Sequence, residues 1–162
     1  MSNLFDTYLL DGNVFDEVLI NSELRRLVFK FSGLGQIKLI CSYIEKDEVD
    51  AIPIAKAEKW AEINILRSEL NAEEVPASGL IVDKSKIGKS KFISNADMEN
   101  VVRSINGNSK YVNDSIIAQT AKENNAILVT NDIELLKKAN HVIGSIAIDC
   151  HAFGVTLRNL EG

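Results

Sequence analysis

Short runs of consecutive apolar residues alternate along the chain with stretches in which apolar residues recur every three or four positions. Thr7-Tyr8-Leu9-Leu10 is one such run, and Val14, Val18, Leu24 and Leu27 follow it at helical spacing. Ile37-Lys38-Leu39-Ile40-Cys41 is another. Ser42 with Glu45 three residues later forms a capping-box pattern, which marks a helix start. Pro53 suits the first turn of a further helix carrying Ala57, Trp60, Ala61 and Leu66. Gly79-Leu80-Ile81-Val82 and Ala126-Ile127-Leu128-Val129 read as buried strands, and Ser145 to Ile148 as a last one. Helices are expected from Met98 to Ile105, closed by Gly107, then from an Asn113 cap through Ile116, Ile117, Ala118 and Ala121, and through Leu135 and Leu136.

Strands that are apolar without alternation are buried on both faces, which implies helices above and below a parallel sheet. The pattern predicts a three-layer α/β/α domain over residues 1–162 with a central parallel sheet of about five strands. Right-handed crossovers bring the polar residues after each strand to one edge of such a sheet, where ligands bind.

Four carboxylates are candidates for that edge. Asp11 and Asp132 each stand just after an apolar strand and before a helix, where an aspartate can also serve as a helix cap; Asn13 and Thr130 are alternative caps. Glu48 shares a helical stripe with Ile44 and Ile52, which turns it inward, whereas Glu45 has the capping-box role and Asp47 and Asp50 fall outward. Asp114 opens a helix and complements its dipole, a sufficient role by itself. Four gathered acids need either protons or a hard cation. An oxygen-only set without Cys or His suits Mg²⁺ or Mn²⁺, which can hold a phosphate oxygen and lower the pKa of a bound water.

Composition adds little to that picture. The net charge of −5 argues against a surface that is basic all round, but not against a basic patch. Cys41 and Cys150 lack metal or redox spacing, and His141 and His151 lack partners for zinc. No apolar run reaches membrane-span length and no signal segment opens the chain, so a cytoplasmic protein is expected.

Tyr8-Leu-Leu-Asp11-Gly-Asn-Val, Ile40-Cys-Ser42 with Glu48 six residues on, Asn113-Asp114-Ser-Ile-Ile-Ala118, and Leu128-Val-Thr130-Asn131-Asp132 together resemble the PIN-domain family, in the family's order, from about residue 7 to 148. The resemblance implies a metal-dependent endoribonuclease in which Asp11, Glu48, Asp114 and Asp132 are catalytic and bind Mg²⁺ or Mn²⁺, with Asn13, Thr130 and Asn131 in support. Gly12 departs from the Thr or Ser common after the first Asp, and the tract 67–112 is longer than in compact members. By analogy with small members, the partners would be RNA, an antitoxin protein and a second copy of the chain. The alternative is a catalytically silent PIN-like module that binds RNA or protein. A phosphatase would want a second Asp where Asn13 stands, and the acid pair and lysine of a receiver domain are not evident.

Lys84, Lys86, Lys89 and Lys91 form an acid-free run closed by Phe92, and Arg25, Arg26 and Lys30 share the second half of the first helical stretch. Either group is a solvated surface or a sequence-blind contact for RNA phosphates.

Overall fold

The computed structural model describes residues 6–79, 90–108 and 111–162, without the side chains of residues 46, 48, 49, 90 and 91. The apolar runs form a five-stranded sheet. Its strands are β1 (Asp6–Leu10), β2 (Ile37–Cys41), β3 (Glu73–Glu74), β6 (Ile127–Val129) and β7 (Ala147–Ile148). Their order is β3-β2-β1-β6-β7 and every pairing is parallel. A separate parallel ladder joins β4 (Ala77–Ser78) to β5 (Ser90–Lys91).

Helices cover both faces. Side chains from α1 (Gly12–Ile20), α2 (Ser22–Gly33), α4 (Ala57–Leu70) and α8 (Cys150–Asn159) pack on one face, around Tyr8, Leu10, Leu39 and Val129. Those from α3 (Tyr43–Asp50), α5 (Asn95–Ile105), α6 (Val112–Glu123) and α7 (Ile133–Lys138) pack on the other, around Leu9, Ile40 and Leu128. Consecutive strand residues thus feed opposite cores, which is why the strands carry no polar alternation. The α/β/α expectation holds.

Several local expectations change. The first helical stripe is two helices, because Asn21 ends α1 and its side chain caps α2 by accepting from the Leu24 amide at 3.0 Å. The fifth strand of the sheet is β3, two glutamates next to β2; Gly79 is not in a strand and 80–82 lie outside the described residues. A two-residue edge strand has too little apolar pattern to be seen in sequence. Pro53 precedes a 3₁₀ turn, Ile54–Lys56, and not the α-helix itself. Asn113 sits inside α6, whose cap position is Tyr111. Gly107 does follow the end of α5 in left-handed conformation, φ +69°, after Asn106 at φ +49°.

Register decides what reaches the edge. Leu9 pairs with Ile40 and Leu10 with Val129, while Val129 pairs with Ile148. Continuing the ladders places Ser42, Asp11, Thr130 and Asp149 in one row across four strands. Backbone bonds extend the last rungs, from the Asp11 amide to the Val129 carbonyl and from the Thr130 amide to the Ile148 carbonyl, both 3.0 Å.

Candidate functional site

Asp11 is the centre of that row. It caps α1, its Oδ1 accepting from the Gly12 amide at 2.8 Å. Its Oδ2 accepts from the Thr130 hydroxyl at 2.7 Å and from Asn13 Nδ2 at 2.9 Å. Capping and a place in the site are therefore the same geometry, not competing roles. Burial pushes the Asp11 carboxyl above its ordinary range, opposed by the hydrogen bonds from Thr130, Gly12 and Asn13; the charge of Asp132 pushes it further up.

Asn13, in the first turn of α1, reaches across to the end of β6. Its Nδ2 also meets Thr130 Oγ1 at 3.2 Å, and its Oδ1 accepts from the Asn131 amide at 3.1 Å. Asn131 Oδ1 in turn accepts from the Cys150 amide at the start of α8, 3.0 Å. Thr130 Oγ1 accepts from the Asp132 amide at 3.1 Å. Asn13, Thr130 and Asn131 thus tie the ends of β1, β6 and β7 together. Asp132 caps α7, with Oδ1 accepting from the Glu134 and Leu135 amides at 2.8 and 3.2 Å, and it is exposed.

Glu45 is the acid that the sequence reading left out. It makes the expected capping box, its Oε2 accepting from the Ser42 amide at 2.9 Å and from the Ser42 hydroxyl. Yet Glu45 is 0% exposed, and its other oxygen, Oε1, has no hydrogen-bond partner among the described residues. Burial pushes its pKa up to about 7, against the pull of Ser42, and the negative charge of Asp11 raises it further. A cap at the surface would show none of this. The capping-box motif does not reveal this burial, since the same spacing serves an exposed cap equally well. Glu48 is in α3, one turn further on, and its side chain lies outside the described residues.

Asp114 is half-buried in the first turn of α6 and holds interactions of its own. α6 runs into β6 through Asn124–Ala126 and packs against it, so its first turn faces the carboxyl end of that strand. Asp149, which caps α8 at 2.7 Å from the Ala152 amide, was also missed; it follows a strand just as Asp11 does. Among the described residues no three His, Cys, Asp or Glu side chains gather closely enough to hold a metal ion.

The proposed RNA contacts divide. Lys84, Lys86 and Lys89 lie outside the described residues, as does the Lys91 side chain. Arg25 pairs with Glu69 at 3.7 Å, and Arg26 and Lys30 both pair with Glu161, at 2.8 and 2.7 Å. Their positive charge is offset locally, which weakens the case for them as phosphate contacts. His141 and His151 are exposed, Cys41 and Cys150 are free thiols, and among the described residues no helix is long and apolar enough to cross a membrane.

No protein-family model matches the chain, and no curated protein sequence matches it. Among solved structures, the crystal structure of PAE2754 from Pyrobaculum aerophilum is similar at a TM-score of 0.53 and 17% identity, over 95% of this chain and 98% of that one. At that identity the likeness shows a shared fold over essentially both chains.

Proposed function

We propose that the chain is a PIN-like, Mg²⁺- or Mn²⁺-dependent endoribonuclease. The observation that carries the reading is Glu45, buried within reach of the charge of Asp11, with one carboxylate oxygen unpartnered among the described residues and its own charge disfavoured. Two acids held in that relation, with Asp132 close enough to act on Asp11, leave negative charge that a hard cation would compensate. The donors are all oxygens, which fits Mg²⁺ or Mn²⁺ better than zinc.

In this reading Asp11, Asp132, Asp114 and a glutamate of α3 hold the ion. Glu45 is the α3 acid beside Asp11, and Glu48 is the one the family resemblance implies. Bound there, the ion would supply Lewis-acid stabilisation of the phosphate and a more acidic water. Thr130 and Asn13 orient Asp11 by donating to Oδ2, which leaves for the ion the lone pair of Oδ1 that the Gly12 amide does not take. In the same proposal the chain is the toxin of a toxin–antitoxin pair, so that induced expression arrests growth and Asp11→Asn relieves the arrest.

The test is cleavage of a mixed RNA pool with Mg²⁺ or Mn²⁺ by the wild type, Asp11→Asn and Glu45→Gln. We expect Asp11→Asn to lose at least about a hundredfold in rate, beyond the usual effect of disturbing a supporting residue. Equal rates for all three proteins would sink the enzyme reading. One observation favours the alternative, a silent PIN-like module that binds RNA or protein: the absence, among the described residues, of three gathered metal-binding side chains. RNA that binds without metal-dependent cleavage would establish it.

A further inference from the structure

A cleft opens beside the acid row, on the face of the sheet covered by α1 and α4. Its volume is about 370 Å³, within the roughly 300–1,000 Å³ of small-ligand sites. Leu10 and Leu39 line its apolar side, with Phe15 of α1 and Arg67 of α4. Leu10 immediately precedes Asp11, and Cys41, also in the lining, immediately precedes Ser42. The cleft therefore begins one residue from the proposed site.

Arg67 gives it chemical character. Its guanidinium lies over the Phe15 ring, 5.8 Å from the centroid, and is only half-exposed. Resting on an aromatic ring limits the rotamers of an arginine, and the Cys41 thiol that the guanidinium also meets is a weak partner, so most of its planar fork of donors is left for an oxyanion. Arg25, Arg26 and Arg158 each face a glutamate, at 3.7, 2.8 and 3.5 Å. Among the described residues no carboxylate pairs with Arg67 in that way. It sits on the rim of a cleft that is apolar within, with Asn64 and Ser68 beside it on α4. A cation without an acid, set against an apolar recess, calls for a ligand with a flat apolar part and an anionic one.

We propose that this cleft is a nucleotide subsite, in which Arg67 binds a backbone phosphate and the recess between Phe15 and Leu39 takes the attached base. The inference rests on the ribonuclease reading for its place in function, because the occupant would be a nucleotide of the RNA strand adjoining the one cut at the acid row. Contacts of this kind recognise an unpaired nucleotide through its phosphate and ring faces, not its sequence. The enzyme would accordingly prefer single strands and discriminate little among bases.

The test measures binding of a short labelled single-stranded RNA in EDTA, where no cleavage occurs, for the full chain and its variants. Arg67→Gln should weaken binding about tenfold and reduce the slope of log affinity against log salt by about 0.7. Arg67→Lys should restore the slope but not the whole affinity, since it keeps the charge and loses the fork. Ser68→Phe, which narrows the cleft from its exposed rim without touching Arg67, should weaken binding as well and guards against a folding effect of the first variant. Adenosine monophosphate should compete with the RNA where equal inorganic phosphate does not. Unchanged affinity and slope in Arg67→Gln would overturn the subsite, and so would competition by phosphate equal to that of the nucleotide. If Asp11→Asn abolishes cleavage while Arg67→Gln binds normally, the subsite fails and the nuclease stands. Arg67-dependent binding in a chain that never cleaves RNA supports the subsite and removes the nuclease.

Discussion

Asp11 has two unlike flanks. Toward β6 its carboxylate meets Thr130 and Asn13, and the chain of bonds continues through Asn131 to the Cys150 amide. Each of these polar groups has a partner, and the network locks three strand ends together. Toward β2 stands Glu45, wholly buried, with one oxygen satisfied by Ser42 and the other by no group among the described residues. The first flank is a scaffold, stabilising because it is complete. The second is destabilising as it stands, because burial disfavours the charge of Glu45 and the charge of Asp11 adds to that. The site is thus asymmetric: positioning on one side, uncompensated charge on the other.

The comparison is most sharply tested through Glu45. Its folded pKa is raised to about 7 from an ordinary 4.5. The folded state therefore binds the extra proton, and stability is full below about pH 4.5 and falls as pH rises through about 7. Urea unfolding across that range in EDTA should show a loss on the order of 3 kcal/mol, at 1.36 kcal/mol per pKa unit. Glu45→Gln should abolish the slope. Addition of Mg²⁺ should recover stability at high pH in the wild type but not in the variant. A wild-type profile as flat as that of Glu45→Gln would remove the distinction between the flanks.

Next in size is Thr130→Val, which leaves Asp11 short of one donor and Asn13 and the Asp132 amide short of an acceptor. Unfolding free energy should fall by about 1–3 kcal/mol, and cleavage by about ten- to a hundredfold. Asn131→Ala breaks only the outer link to β7 and α8, with an expected cost near 1 kcal/mol and a smaller loss of activity. Glu161→Gln, remote from both flanks, removes the exposed partner of Arg26 and Lys30. It should leave the urea midpoint unchanged, because solvent-exposed pairs contribute little. It should also free positive charge, so that stronger RNA binding by this variant would return α2 to the list of contacts.

The apolar runs were enough to identify β1, β2, β6 and β7, since a strand buried on both sides must be apolar throughout. Asp11 and Asp132 followed directly, because a polar residue after such a strand has one place to go. The remaining pieces carry weaker signals. β3 is two glutamates at an edge, joined by backbone bonds that any side chain permits. Asn21 divides one helical stripe into α1 and α2 while keeping the stripe's period, so spacing alone reads through it.

Glu45 marks the limit most clearly. Ser42-x-x-Glu45 specifies a capped helix whether or not the cap is buried, and the bond to Ser42 is present as expected. Sequence by itself determined four of the five strands, their ends and the acids that follow them, because those depend on local pattern and on the period of each element. Tertiary structure decided which acid of α3 is buried within reach of the charge of Asp11, how Thr130 and Asn13 divide its lone pairs, and that Arg67 lines a cleft with no paired carboxylate among the described residues. Those depend on register between strands and on the depth at which each helix packs, quantities set by the whole fold and written in no single segment. The four carboxylates of the opening pattern are therefore unequal: Asp11 is fixed by its bonds, and Glu45 joins it as the buried group whose charge has no answer within the described chain.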